Sequence, residues 1–132
     1  MSEKILIVED NPSSMTVILM TLRGHGYTLL EAIDGEEALK AADRAKPDLF
    51  LIDIQLPKID GLEVTRRLRQ IPAFSHVPII ALTAYAMKGD EERITGAGCD
   101  AYLTKPFHIH ELRSMVAEML LSRKQNILSI RM

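Results

Sequence analysis

The sequence predicts an α/β domain: a doubly wound, five-stranded parallel sheet flanked by five helices. Short apolar runs rich in β-branched residues alternate five times with longer amphipathic stretches, which is the rhythm of linked βαβ units. The first, third and fourth runs are apolar almost without alternation, as expected of strands covered on both faces.

The strand candidates are Ile5 to Val8, Thr28 to Ala32, Leu49 to Ile52, Ile79 to Leu82 and Ala101 to Leu103. Met15, Ile18, Leu19 and Leu22 recur at helical spacing between the Asp10-Asn11-Pro12 cap signal and the breakers Gly24 and Gly26, defining a first helix. Ala38, Leu39 and Ala42 mark a second after Asp34-Gly35, and Leu62, Val64, Leu68 and Ile71 a third, ended by Pro72. Asp90 to Ala97 is short and polar, with Ile94 as its main apolar anchor. A fourth helix there is expected to be the least firmly packed, and a weakly anchored helix can move. Leu112, Met115, Val116, Met119 and Leu120 form one stripe of a fifth helix, the methionines acting as core filler. The domain is expected to span 1–121, with 122–132 (SRKQNILSIRM) as a short C-terminal tail.

Composition narrows the function classes. A chain of 132 residues with 47% hydrophobic content suits one domain with one substantial core. Sixteen basic and eighteen acidic residues give a formal charge of -2 without long runs of either sign, so there is no nucleic-acid footprint and no polybasic membrane patch. The apolar run in MSEKILIVEDNPSS is too short for a signal peptide or a membrane span, and a cytoplasmic protein is expected. Cys99, the single cysteine, sits among small residues (GAGCDA) and reads as a buried small hydrophobe.

In an open parallel sheet, ligands bind at the carboxyl ends of the strands. Glu9 and Asp10 follow the first strand, Asp53 the third, Thr83 the fourth and Lys105 the fifth, so these residues are expected to converge. Three carboxylates about 4 Å apart would repel by roughly 4 kcal/mol per pair at an effective dielectric near 20, more than one lysine cancels. A divalent cation does cancel it, and all-oxygen donors select Mg²⁺, with Mn²⁺ able to substitute, over Zn²⁺. Asp10 and Asp53 are the expected direct ligands, with Glu9 acting through water. A carboxylate nucleophile, a metal, a lysine and a hydroxyl are the minimum set for in-line phosphoryl transfer onto Asp53.

Taken singly these residues have plainer readings. Asp10 with Asn11 and Pro12 is a good helix cap, Asp53 a turn residue, Thr83 an ordinary strand residue, Lys105 a solvated loop lysine and Tyr102 edge-strand packing. Only their shared crevice argues for chemistry. His108 and His110, two apart at a helix start, point in different directions and do not read as metal ligands, while His25 and His76 read as loop residues.

The segments ILIVEDNP, PDLFLIDIQLPKIDGLE, PIIALTA and DAYLTKPF, in this order and spacing over residues 4 to about 121, resemble the receiver domain of two-component response regulators. That resemblance implies the flavodoxin-like strand order 2-1-3-4-5. It also implies Asp53 as phosphoacceptor, Glu9 and Asp10 as the acidic metal pair, the Gln55 carbonyl as a further metal ligand and Thr83 as the hydroxyl that moves toward the phosphoryl group. Lys105 becomes the phosphate-contacting lysine before a cis Pro106, and Tyr102 the aromatic switch. Gln55 and Tyr85 occupy the two places that vary in such domains and help set the acyl-phosphate lifetime.

A flavin or nucleotide binder would carry a glycine-rich loop where this chain has EDNPSS. An aspartate-nucleophile phosphatase would want a second acid at Gln55, and a phosphorylation-independent pseudo-receiver scaffold would not need the full acidic and basic set. With no effector domain after residue 132, the expectation is a single-domain regulator and signalling switch rather than an enzyme. Its partners are a sensor histidine kinase or phosphotransfer protein upstream and a protein target downstream, and it acts as a monomer or a weak phosphorylation-dependent dimer.

Overall fold

A computed structural model describes residues 2–84 and 89–131, the last seven of these by their helical backbone. The elements are β1 (Lys4–Val8), α1 (Pro12–Leu22), β2 (Thr28–Ala32), α2 (Gly35–Ala45), β3 (Leu49–Asp53), α3 (Gly61–Arg69), a 3-10 turn (Pro72–Phe74), β4 (Ile79–Thr83), α4 (Asp90–Ala97), β5 (Ala101–Thr104) and α5 (Ile109–Arg131). The strands pair in parallel in the order β2-β1-β3-β4-β5, as the family resemblance implies.

Alternating side chains of the same strands build two cores. Leu6, Val8, Phe50, Ile52, Ile79 and Ala81 pack with α2, α3 and α4 through Ala38, Ala42, Val64, Leu68, Ile94 and Ala97. Ile5, Ile7, Leu49, Leu51, Ile80 and Leu82 pack with α1 and α5 through Met15, Ile18, Leu22, Leu112, Val116 and Leu120. β3 and β4 are buried along their whole length, which explains their unbroken apolar runs, whereas the edge strands β2 and β5 are partly exposed. Cys99 is buried with its sulfur 3.7 Å from Thr65 Oγ1, and burial pushes its thiol pKa up. Among the described residues, no helix is long and apolar enough to cross a membrane.

Three helices start on side-chain caps: Asn11 accepts from the Ser14 amide at 3.0 Å, Asp34 from Glu37 at 2.8 Å and Asp60 from Glu63 at 2.9 Å. Two elements depart from the sequence expectation. α3 ends at Arg69, not at Ile71, because Pro72 disfavours a helical conformation in the residue before it, and Ile71 is extended with φ -87°, ψ 117°. The tail expected at 122–132 is instead a continuation of α5 to Arg131. Neither glycine nor proline occurs after Pro106 to stop it. The start of this continuation is fastened to the residues just before β3 and β1 by Arg123, 2.5 Å from Asp48 Oδ1, and Lys124, 2.9 Å from Glu3 Oε1.

Candidate phosphoacceptor and metal site

The parallel sheet brings every strand's carboxyl end to one edge, and the polar residues gather there. β1 continues one step beyond Val8, where the Glu9 amide donates to the Ala32 carbonyl at 3.0 Å, and this buries the Glu9 side chain to 1% exposure. Asp53, 4% exposed, closes β3, and its Oδ1 accepts the Gln55 amide at 2.9 Å. Lys105 follows β5, held by its own amide donating to the Thr83 carbonyl at 2.7 Å. Its ammonium lies 3.0 Å from Glu9 Oε2 and 3.1 Å from Asp53 Oδ2, bridging the two buried carboxylates. The Lys105-Pro106 bond is cis.

Asp10 completes the acidic set. Asn11, not Asp10, caps α1, so the Asp10 carboxylate is not spent on the helix and lies exposed at the pocket mouth. One oxygen each of Glu9, Asp10 and Asp53 lies within 4.8 Å of the others. Glu9 Oε1 is buried without a hydrogen-bond partner, the one such side-chain atom among the described residues. An orphaned carboxylate oxygen beside two further acids is a donor set that fits a hard divalent cation.

The electrostatics reflect this crowding. Burial, then the hydrogen bond with Asp53, pushes the Glu9 pKa up to about 7 against the pull of Lys105. Burial alone would lower Lys105, but the Glu9 hydrogen bond and the Asp53 charge outweigh it and hold the ammonium above its ordinary pKa.

Thr83, 3% exposed, ends the neighbouring strand and lines a small cavity with Gln55, Asp90 and Arg93. Tyr102 is half-buried against the α2–α4 core, on the same face of the sheet as Thr83 by strand alternation. Tyr102 does not end β5, however. It pairs with Ala81, two residues before the level of Thr83. Tyr85 lies outside the described residues. His108 and His110 flank the first residue of α5, exposed, and neither joins the acidic cluster.

Sequence reasoning missed Gly61. A Cβ there would stand 2.7 Å from the Ile54 Cα and closer still to the Asp53 carbonyl, while the Gly61 amide donates to the Ile54 carbonyl at 2.8 Å. The Asp60-Gly61 pair at a helix start was the available signal, since a glycine at the first helical position has no propensity to recommend it.

Comparison with known proteins agrees with this geometry. The response regulator receiver domain model matches residues 5–117. The polar-differentiation response regulator DivK of Brucella anthropi is 46% identical over 109 residues, 83% of this chain and 89% of that protein. The receiver domain of a Pseudomonas aeruginosa sensor histidine kinase, solved with magnesium coordinated in its active-site cleft, is 42% identical. It superposes with a TM-score of 0.84 over 91% of this chain and 98% of that one. The chemotaxis protein CheY4 of Vibrio cholerae is 28% identical, with a TM-score of 0.86 over 90% and 99% of the two chains. On its sequence match, its strand order and its acidic strand-end cluster alike, the chain belongs to the response regulator receiver domain family of two-component systems.

Proposed function

We propose that this receiver takes a phosphoryl group onto Asp53 from a histidine kinase or histidine phosphotransfer protein and signals by changing its contacts with a downstream protein. The observation that carries the reading is the Lys105 bridge between Glu9 and Asp53 beside an orphaned Glu9 oxygen. Asp53 is the acceptor because its Oδ1 is oriented by the Gln55 amide while Lys105 holds Oδ2. An Asp53 oxygen attacks phosphorus as the donor's phosphorus–nitrogen bond breaks, and the imidazole, already protonated on its other ring nitrogen, leaves with the bonding pair as the neutral ring. Lys105 is placed to hold a phosphoryl oxygen, and Thr83, on the next strand end, to donate a hydroxyl to another.

Glu9, Asp10, Asp53 and the Gln55 carbonyl would hold Mg²⁺, or Mn²⁺, in this pocket. The cation supplies charge neutralisation of the acids and of the equatorial phosphoryl oxygens. The protein acts as a cytoplasmic switch that promotes only its own phosphorylation and dephosphorylation, as a monomer or a weak phosphorylation-dependent dimer. Incubation with acetyl phosphate and Mg²⁺ followed by intact mass tests the reading directly: a gain of one phosphoryl group that needs the cation supports it, and no gain refutes it.

A further inference from the structure

The loop from β3 to α3, residues 54–60, leaves Asp53 and comes back to it. The Gly61 amide donates to the Ile54 carbonyl at 2.8 Å, and a Cβ on Gly61 would press on the Asp53 carbonyl, so both ends of the loop meet beside the carboxylate. On either side of its tip the loop is pinned to the core. Leu56 is buried, and Ile59 packs at the start of α2, where a Cβ on Gly35 would stand 3.1 Å from Ile59 Cβ. Pro57 and Lys58 between them are exposed. Lys58 is three residues from Gly61, a length of chain that spans at most about 11 Å, so its charge stays near the rim of the Asp53 pocket.

The backbone of Lys58 is uncommon as well. Its φ of 66° lies in the left-handed region, where glycine and asparagine are the low-cost residues. Lys46, the other non-glycine residue with positive φ among the described residues, caps the end of α2, a usual place for that conformation, whereas Lys58 caps no helix. A charged residue kept in a strained loop tip beside a site points to a use for the charge. That charge is also uncommitted. Lys105 is shared by Glu9 and Asp53, and Arg93, on the neighbouring cavity, pairs with Asp90 at 3.1 Å. Lys58 forms no ion pair among the described residues, and Asp60, two residues on, is engaged by the Glu63 amide at 2.9 Å.

We propose that Lys58 guides the phosphodonor, its ammonium attracting the donor's dianionic phosphoryl group to a pocket whose own carboxylates repel it; the inference rests on the reading that Asp53 is phosphorylated. With all three acids ionised, Glu9, Asp10 and Asp53 against Lys105 leave the pocket at minus two, which a bound divalent cation cancels without reversing. Lys58 supplies the positive charge that makes the rim attractive to an anion. It acts on the donor's approach and not on bond making, and is therefore a positioning residue. At about 10 Å in water, one charge acting on a dianion changes association by about fourfold.

The test is phosphoryl uptake from acetyl phosphate by the whole chain at saturating Mg²⁺, timed by intact mass at low and at high ionic strength. At low ionic strength Lys58→Asn should take up the group about threefold more slowly than wild type and Lys58→Glu about tenfold, while Lys58→Arg should stay within about 1.5-fold. In about 1 M salt, where the screening length falls to about 3 Å, these differences should collapse. Loss of the phosphoryl group from Asp53, in which the attacking water is neutral, should run at the same rate in all of these chains. Asparagine tolerates the left-handed region, so the urea midpoint of Lys58→Asn should not fall. A Lys58→Glu chain that is phosphorylated as fast as wild type at low ionic strength, or whose deficit persists at high salt, overturns the guide. A wild type that gains no phosphoryl group overturns the parent reading, and the guide with it.

Discussion

Gly61 sits against the backbone of Asp53: where α3 begins, its first residue has no room for a Cβ above the carboxyl end of β3. The position of Asp53 is thus set by helix–strand contact as well as by the sheet. Gly61→Ala should push α3 and the β3 end apart, destabilising the protein by about 1–3 kcal/mol, the usual range for overpacking a tight contact. Because the displaced atoms belong to Asp53 and Ile54, phosphoryl uptake should also slow. Urea melts and timed intact-mass measurements check both effects, and unchanged uptake would mean that the contact supports only the fold.

Asp53→Asn should abolish phosphoryl uptake while keeping the fold. The amide oxygen can still accept the Gln55 amide, and Lys105 keeps its contact with Glu9. Stability should therefore change by no more than about 1 kcal/mol. Intact mass after acetyl phosphate treatment decides it, and full phosphorylation of the variant would place the acceptor elsewhere.

The raised pKa of Glu9 makes the metal-free protein pH-dependent. A carboxyl with an ordinary pKa near 4.5 in the unfolded chain and about 7 in the fold binds its proton more tightly when folded. Its contribution is complete below pH 4.5 and is lost as pH rises through 7. In chelator, stability should fall over that window by up to roughly 3 kcal/mol. Glu9→Gln should flatten this dependence, and Glu9→Gln with Asp10→Asn should in addition weaken Mg²⁺ binding strongly. Denaturation at pH 5, 7 and 8 with and without chelator, beside calorimetric Mg²⁺ titration, measures both, and a double variant with native metal affinity would remove these acids from the site.

Much of this arrangement is legible in the chain because each polar residue follows an apolar run, and a parallel sheet carries all such positions to one edge. Glu9, Asp53, Thr83 and Lys105 are found that way. What depends on close approach or on distant backbone is not. Nothing in DNP says that Asn11 takes the cap and leaves Asp10 at the pocket, because both side chains cap equally well. Gly61 matters through atoms eight residues back. The extension of α5 through 122–131 follows from the lack of a stop signal, which is weaker than the presence of one. Tyr102 lies inside its strand, since β5 runs two residues past it to Thr104.

On the proposed function, a change at Asp53 must reach the surface, and we propose Thr83 as the residue that carries it. It ends β4 beside Asp53's strand, lines the cavity below α4, and shares a face of the sheet with Tyr102, two residues back along the pair register. Phosphorylation adds charge and three strong acceptor oxygens, which the Thr83 hydroxyl and the Lys105 ammonium can meet. A hydroxyl drawn toward the pocket leaves space on the α4 side, into which the Tyr102 ring can turn. The face formed by α4, β5 and α5 is then expected to change, and a partner that prefers one form by about 1–3 kcal/mol would respond 5- to 150-fold. Thr83→Ala keeps the acids, Asp53 and Lys105, so it should still take up phosphate but transmit poorly. Amide chemical shifts should move across α4 and β5 in the phosphorylated wild type and stay near residues 9, 10, 53–55 and 105 in the phosphorylated variant. Equal spread of the shifts in the two proteins would show that the signal leaves the pocket by another route.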